Sequence, residues 1–314
     1  MTTAPQAGRV VVVGSVNRDY VCRLARLPAP GATVLGSDVM VASGGKGGNQ
    51  AVAAAHAGAD VFLVACVGDD EDGRALLADL GATGVHTSQV KLLPEVRTGA
   101  AFVFVAPDGE NSIVVAPGAN GRVDPSAVTA AVAALLDDSG VLVVQAEIPV
   151  PAVVSAMQAA SGHGGRAVLN LAPYCELPAH AIALADPLVV NETEAGELGG
   201  EPVRGVAGAQ AAAVKLLERA RSVVVTLGAQ GAVVASAGEV AHVPAAEVEV
   251  IDSTGAGDAF TGALAAALSA GEDLISAVRS GVAAGTYAVG MPGAQPSYPK
   301  TNSDVSPPPS SSQE

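Results

Sequence analysis

The sequence predicts an α/β fold: a mostly parallel β-sheet with helices on both faces, and a second, smaller sheet standing off it. Two observations predict this. Short, continuous apolar runs suited to strands buried on both faces alternate with helical stretches along most of the chain. Such alternation builds parallel strands joined by crossover helices. In the N-terminal third the alternation is interrupted by segments that pair with one another instead. Hydrophobic residues make up 49% of the 314, aromatics only 3%, and Trp is absent, so the core must be Val, Ala, Leu and Ile.

Taken in order, Arg9-Val-Val-Val-Val-Gly14 is an apolar run closed by glycine and reads as the first buried strand. Residues 33–42 read as a strand of the small sheet, followed by a helix over 49–57, a strand over 61–67 and a helix over 70–80. Residues 98–106 and 110–116 flank Pro107-Asp108-Gly109, a hairpin signal, and complete the small sheet as a lid. Helices are expected over 125–136, 151–160, 192–198 and 206–220, with strands over 141–145, 167–171, 187–190 and 222–227 between them. A last helix starts near Ala256 and runs to Ala270. Residues 301–314 hold five Ser and Pro307-Pro308-Pro309 and read as a disordered tail.

Composition excludes several roles. Sixteen basic against 31 acidic residues give a net charge of −15, which argues against nucleic acid or an anionic membrane as partner. Cys22, Cys66 and Cys175 are odd in number and widely spaced, so neither a disulfide framework nor a zinc site is indicated, and a reducing cytoplasm is the expected compartment. The first residues lack a basic segment followed by an apolar one, so no signal peptide is read. Residues 280–299 are free of charge but interrupted by prolines and glycines, a poor membrane span. The five histidines have no ligand spacing, and no Gly-x-Ser-x-Gly elbow occurs.

Three segments carry chemistry. In Asp252-Ser253-Thr254-Gly255-Ala256-Gly257-Asp258 the glycines let the backbone turn tightly at a helix start, where free N–H groups form an anion site. Asp258 falls in the first turn. A carboxylate beside an anion site makes sense if it removes a proton from a nucleophile attacking that anion; otherwise it merely caps the helix. In Gly44-Gly45-Lys46-Gly47-Gly48-Asn49-Gln50 a Lys sits among glycines before a helix, either a ligand-facing loop or a surface turn. It is neither a Walker A loop nor a dinucleotide fingerprint. Asn17 and Asp19 follow the first strand at a spacing that puts both on one side of an extended segment, and suit sugar hydroxyls. Glu147 after the strand at 141–145 reads the same way. Asn191-Glu192-Thr193-Glu194 and Thr226-Leu227-Gly228-Ala229-Gln230-Gly231 are weaker: alone, a helix cap and a hairpin turn.

In this order, from about Arg9 to Ser297, the segments resemble the ribokinase family of carbohydrate kinases, the phosphofructokinase-B type. The resemblance implies a ribokinase-like three-layer sandwich over 9–300, with lid strands within about 15–43 and 96–117. It implies ATP-dependent phosphorylation of the terminal O5 hydroxyl of D-ribose, with Asp258 as base and Gly255, Ala256 and Gly257 as the anion hole. It further implies that Asn17, Asp19, Gly45, Lys46, Gly47, Gly48, Asn49 and Glu147 hold the sugar. Asn191, Thr226, Leu227, Gly228, Ala229, Gln230, Gly231 and Gly257 would hold ATP, and Glu194 would reach Mg2+ through water. Asp252, Thr254, Ala288, Met291, Gly293 and Ser297 would hold a monovalent cation, K+, and the lid would join two subunits in a homodimer. Ser253 stands where Thr is usual, Val282 where relatives often place His or Asn near the adenine, and the family's final helix is replaced by the Ser/Pro tail. Alternatives are a kinase for deoxyribose, another pentose or a nucleoside, and a non-catalytic sugar-binding protein.

Overall fold

The computed structural model describes residues 8–106, 111–300 and 304. Its strands are β1 (Arg9–Val13), β2 (Asn17–Arg23), β3 (Met40–Gly44), β4 (Asp60–Gly68), β5 (His86–Leu93), β6 (Gly99–Val105), β7 (Asn111–Ala116), β8 (Val141–Gln145), β9 (Arg166–Asn170), β10 (Leu188–Asn191), β11 (Val223–Thr226), β12 (Ala232–Ser236) and β13 (Glu239–Val243). Its helices are α1 (Lys46–His56), α2 (Glu71–Ala82), α3 (Pro125–Leu135), α4 (Val150–Gly162), α5 (Ala179–Ile182), α6 (Glu192–Gly199), α7 (Gly205–Leu216), α8 (Ala256–Ser269) and α9 (Leu274–Ala288).

Nine strands form one sheet in the order β13-β12-β11-β10-β9-β8-β1-β4-β5, parallel except at β12 and β13. The apolar runs are buried on both faces, and their alternate residues serve different layers. Val11 and Val13 join the core under α3, α4, α6 and α7, while Val10 and Val12 join the core under α1, α2, α8 and α9. The expected three-layer α/β sandwich is therefore present. The small sheet has the order β3-β2-β6-β7, with β2 parallel to β6 and the other pairs antiparallel.

Several elements differ from the sequence reading. The strand expected over 33–42 forms only at Met40–Gly44, paired with Asn17–Val21 of β2; upstream, a single bridge joins Leu24 to Gly36, and Leu35 is almost fully exposed. β2 falls within the lid segment expected over about 15–43, whereas the edge strand β5 and β13 escaped the reading because their sequences are half-polar, and the reading passes over the apolar run of β12. They owe their strand form to a neighbour's free hydrogen-bonding edge. Pro107-Asp108-Gly109 and, apart from Asp304, the tail over 301–314 lie outside the described residues. Among the described residues no helix is long and apolar enough to cross a membrane.

Helices α1 and α8 lie backbone to backbone. A Cβ built on Gly262 of α8 would fall 2.5 Å from the Ala53 Cβ and 2.6 Å from the Gln50 carbonyl oxygen of α1. Gly262→Ala is expected to destabilise the protein by roughly 1–3 kcal/mol through overpacking. Its Tm should fall, and activity should fall with it because both helices carry site residues at their first turns. An unchanged Tm in thermal unfolding would contradict this contact.

Candidate active site

Five of the parallel strands hand over to a polar residue at the C-terminal end: Ser15 just beyond β1, Gln145 on β8, Asn170 on β9, Asn191 on β10 and Thr226 on β11. In an open α/β sheet ligands bind beyond these ends, and the starts of α1 and α8 arrive there as well. Both helices begin on glycines at positive φ, Gly45 at 83° and Gly255 at 77°, and neither has a side-chain cap. Side chains with a Cβ are strained at such φ values.

The two glycine loops have different fates. The first amides of α1 are taken by protein groups. Lys46 N–H donates to Glu147 Oε2 at 3.0 Å, Gly48 N–H to the Ser15 carbonyl at 2.9 Å, and Gly47 N–H weakly to Ser15 Oγ. Ser15 Oγ donates to the same Glu147 oxygen. This helix start thus anchors the Glu147 carboxylate, which keeps Oε1 for a ligand. In the turn Gly255-Ala256-Gly257 it is the last residue that faces open space: a Cβ on Gly257 would meet nothing within 4 Å, whereas one on Gly255 would lie 2.5 Å from the Tyr298 hydroxyl, and the Ala256 N–H donates weakly to the Ser253 carbonyl at 3.3 Å.

Asp258, in the first turn of α8, is 6% exposed. Asn49 Nδ2 donates to its Oδ2 at 3.0 Å and Gln50 Nε2 to its Oδ1 at 2.8 Å. The charges of Asp258, Glu147 and Glu194 hold the Lys46 ammonium above its ordinary pKa against the opposing effect of burial, Asp258 contributing most. Lys46 therefore stands amid three carboxylates.

Asn17 and Asp19 lie on one side of β2, as their spacing predicts. Asn17 Oδ1 accepts from Asn120 Nδ2 at 2.7 Å, while Asn120 also clasps both backbone groups of Val16. That leaves the Asn17 NH2 free to meet a ligand. Asp19 packs over Gly44, where any Cβ would lie 2.1 Å from its Oδ2, and its buried Oδ1 has no partner. Burial, aided by the charges of Glu147 and Asp258 and opposed by Arg18, raises its pKa to about 7. A half-buried carboxylate with an unpartnered oxygen suits a hydroxyl-rich guest.

On the other side of Gly257 opens a cleft of 770 Å³. Asn191, Thr226, Gly228, Ala229 and Gly231 line it, as do Val248, Val250 and Val282. Leu227 and Gln230 do not: Leu227 is buried, and the Gln230 carbonyl accepts from His242. Asn191 and Glu194 form a reciprocal capping box for α6, each side chain accepting the other's N–H at 2.9 Å. The helix-cap reading of that segment is thus realised; Asn191 lines the cleft, while Glu194 is buried behind it and is not part of its lining. Burial above all raises the Glu194 pKa, with the charges of Glu197 and Asp258 adding and the Asn191 N–H and Lys46 opposing.

Asp252 tethers the loop before α8. Its Oδ1 accepts from Thr254 N–H and its Oδ2 from Gly293 N–H, both at 2.9 Å, while the Val289 carbonyl takes the N–H groups of Ile251 and Asp252. Burial pushes its carboxyl up, but the hydrogen bonds from Thr254 and Gly293 outweigh this and hold it below the ordinary value. Among the described residues it makes no ion pair. Ala288 and Ser297 are buried beside this loop, with Ser297 Oγ donating to the Ala294 carbonyl, and Met291 is exposed.

The sequence reading missed Ser15, Asn120, Gln145, Asn170 and Gln295 as parts of this site. One signal was available for Gln145 and Asn170: each is the lone polar residue ending an apolar strand. Nothing local marks Asn120 or Gln295, which reach the site only through the fold.

A model of the pfkB family of carbohydrate kinases matches residues 7–301. The chain is 37% identical over 291 residues to a ribokinase of Haemophilus influenzae, covering 92% of this chain and 95% of that protein. It is 33% identical over 292 residues to a deoxyribokinase of Salmonella typhi, covering 92% and 95%. The structure of an Arabidopsis thaliana ribokinase complexed with ribose and ATP superposes with a TM-score of 0.84 at 30% identity, covering 96% of this chain and 98% of that one.

Asp19 also generates a pH prediction. Its carboxyl binds a proton more tightly in the folded chain, at about 7, than in the unfolded one. Folding is therefore penalised progressively as pH rises from the unfolded pKa to about 7, and fully above it. Asp19→Asn should melt at a higher temperature than the parent at pH 8, with the gap closing toward pH 4, while losing affinity for the sugar. An equal Tm for the two proteins at pH 8 would contradict this.

Proposed function

The chain belongs to the pfkB family of carbohydrate kinases, and from that premise we propose that it is an ATP-dependent ribose kinase. It transfers the γ-phosphoryl group of ATP to the O5 hydroxyl of D-ribose and yields ribose 5-phosphate and ADP. The observation that carries this is the position of Asp258. Its buried carboxylate lies between a cluster of sugar-binding groups and a nucleotide-sized cleft, at the start of the helix whose glycine turn opens toward that cleft.

In this reading Asn17, Asp19, Lys46, Asn49 and Glu147, with the backbone of Gly45, grip the ribose hydroxyls, while the amides of Gly47 and Gly48 are spent on Ser15 and shape the loop rather than touch the sugar. Asp258 accepts the O5 proton as O5 attacks the γ-phosphorus and the bond to the ADP oxygen breaks. The N–H groups of Gly255, Ala256 and Gly257 meet the negative charge of the transferred group. ATP occupies the cleft, its phosphates toward Gly257, with Val282 against the base. Among the described residues no three His, Cys, Asp or Glu gather as a metal site. Mg2+ would therefore ride on the ATP phosphates, neutralising them, and meet the protein through Glu194 and water. K+ fits beside Asp252, which makes no salt bridge among the described residues and feels only the more distant charge of Arg23, with oxygens of Thr254, Ala288, Met291, Gly293 and Ser297 nearby in sequence to complete a site. Deoxyribose is the second reading, favoured by the likeness to a deoxyribokinase.

The lid supports a homodimer. Register places Ala101 and Val115 on the face of Asp19, and Met40, Val103 and Ile113 on the face of Val21, next along that same side. Met40, Ile113 and Val115 are each about half exposed. A partner's lid would cover such an apolar sheet face. Light scattering at micromolar concentration should give twice the chain mass; a strict monomer would contradict it.

Asp258→Asn should lower kcat by at least ~100-fold, the contribution expected of a positioned base, while calorimetry finds ribose binding within a few-fold of the parent. A variant keeping more than a tenth of the parent kcat would remove the base role. ATP consumption measured across ribose, deoxyribose, other pentoses, hexoses and nucleosides should give the highest kcat/KM with ribose. Replacing tetramethylammonium chloride by KCl at constant ionic strength should raise kcat or the affinity for ATP, and a flat response would remove K+ from the Asp252 loop.

A further inference from the structure

We propose that Gln50 is the positioning residue for Asp258: a buried chain of side-chain amides, Gln145 to Gln50 to Asp258, fixes the carboxylate in its working orientation. The proposal rests on the reading of Asp258 as the base. Gln50 and Gln145 are fully buried and Asn170 nearly so. Gln50 Oε1 accepts from Gln145 Nε2 at 2.7 Å. Its Nε2 donates to Asp258 Oδ1 at 2.8 Å and to Asn170 Oδ1 at 2.9 Å, while Asn170 Nδ2 donates to the Val189 carbonyl at 3.2 Å.

The direction of this chain is dictated, not free. An amide offers one acceptor and two N–H donors. With its oxygen taken by Gln145, Gln50 has only its NH2 to present to Asp258. Turning the amide over would set its oxygen against the carboxylate and its nitrogen against the Gln145 nitrogen, two repulsive contacts without water to relieve them. Gly14 is what admits Gln145 to this position: a Cβ there would lie 2.0 Å from its Oε1, a buried oxygen with no protein partner, so the hold of Gln145 on the chain is its Nε2 bond to Gln50.

Gln50 differs from its neighbour Asn49 in what it touches. Asn49 also grips Asp258 and takes Gln295 Nε2 on its Oδ1, but it belongs to the sugar-facing group. Every polar contact of the Gln50 side chain is to protein. It acts on the reaction through Asp258 alone, by holding the carboxylate plane. A charge-assisted donor to a carboxylate is about twice as strong as a neutral one, and loss of a fixed orientation costs rate without costing ground-state binding.

The test uses the full chain. Gln50→Met keeps the volume and removes the donor. It should lower kcat by about 10-fold or more, with KM for ribose and for ATP within about three-fold of the parent. A fall in kcat of less than about three-fold, or a loss confined to KM, overturns the proposal. A second arm reads stability. Gln50→Glu sets carboxylate against carboxylate and should lower Tm. Gln50→Glu combined with Asp258→Asn exchanges donor and acceptor, and should recover at least half of that loss. Strict additivity of the two Tm changes overturns the contact itself. Because this arm needs no activity, it separates failure of the amide chain from failure of Asp258 as the base, which a fully active Asp258→Asn would reveal.

Discussion

The site depends on one close approach, that of α1 to α8. Gly262 admits Ala53 and the Gln50 carbonyl where any side chain would intrude. The approach brings the first turns of two helices to the same point, one carrying Asn49 and Gln50 and the other Asp258. Both oxygens of the Asp258 carboxylate accept amide donors, and these come from a helix more than two hundred residues away in sequence. Such a contact survives only inside a packed core, because two helices held together by flexible surface side chains would leave the carboxylate free to rotate.

Around that contact, charge is arranged in an unusual way. Glu147, Glu194 and Asp258 share Lys46 as their cation, while Asp19 feels the charges of Glu147 and Asp258 and, opposing them, Arg18. Glu147 is stabilised by a helix N-terminus and a hydroxyl, whereas Asp19 is left with a raised pKa and an unpartnered oxygen. The protein thus keeps an energetic deficit where hydroxyl groups of a sugar would relieve it, which is how binding energy becomes specific for a polar guest. The cleft beyond Gly257 is different: Val248, Val250 and Val282 line it together with small residues such as Gly228, Ala229 and Gly231.

The small sheet links the two halves of the story. β2 begins immediately beyond β1, so the chain leaves the buried sheet and enters the lid within four residues. Asn120 locks that junction by bonding Val16 and Asn17, and Arg18 and Tyr20 tie the outer side of the lid to Asp72 and Asp79 of α2. The lid therefore cannot move without Asn17 and Asp19, which β2 carries.

Much of this was determined by the sequence alone. Runs such as Arg9–Val13 and Val141–Gln145 have no polar side to turn to water, so they could only be central strands. Gly255 and Gly257 before Asp258, and the glycines around Lys46, could only be tight turns at helix starts. Local composition suffices where the physics is local. The tertiary structure alone decided what each group meets. The amides of Lys46 and Gly48 looked available for a ligand but are consumed by Glu147 and Ser15, 101 and about thirty residues distant. Asn120, Gln145, Asn170 and Gln295 are ordinary polar residues until the parallel sheet and the α1–α8 contact set Asn120 on Asn17, Gln295 on Asn49, and Gln145 and Asn170 on Gln50. β5, β12 and β13 are strands only because a neighbouring edge offers them hydrogen bonds. Partners far apart in the chain leave no periodicity behind, because what selects them is the geometry of the folded core.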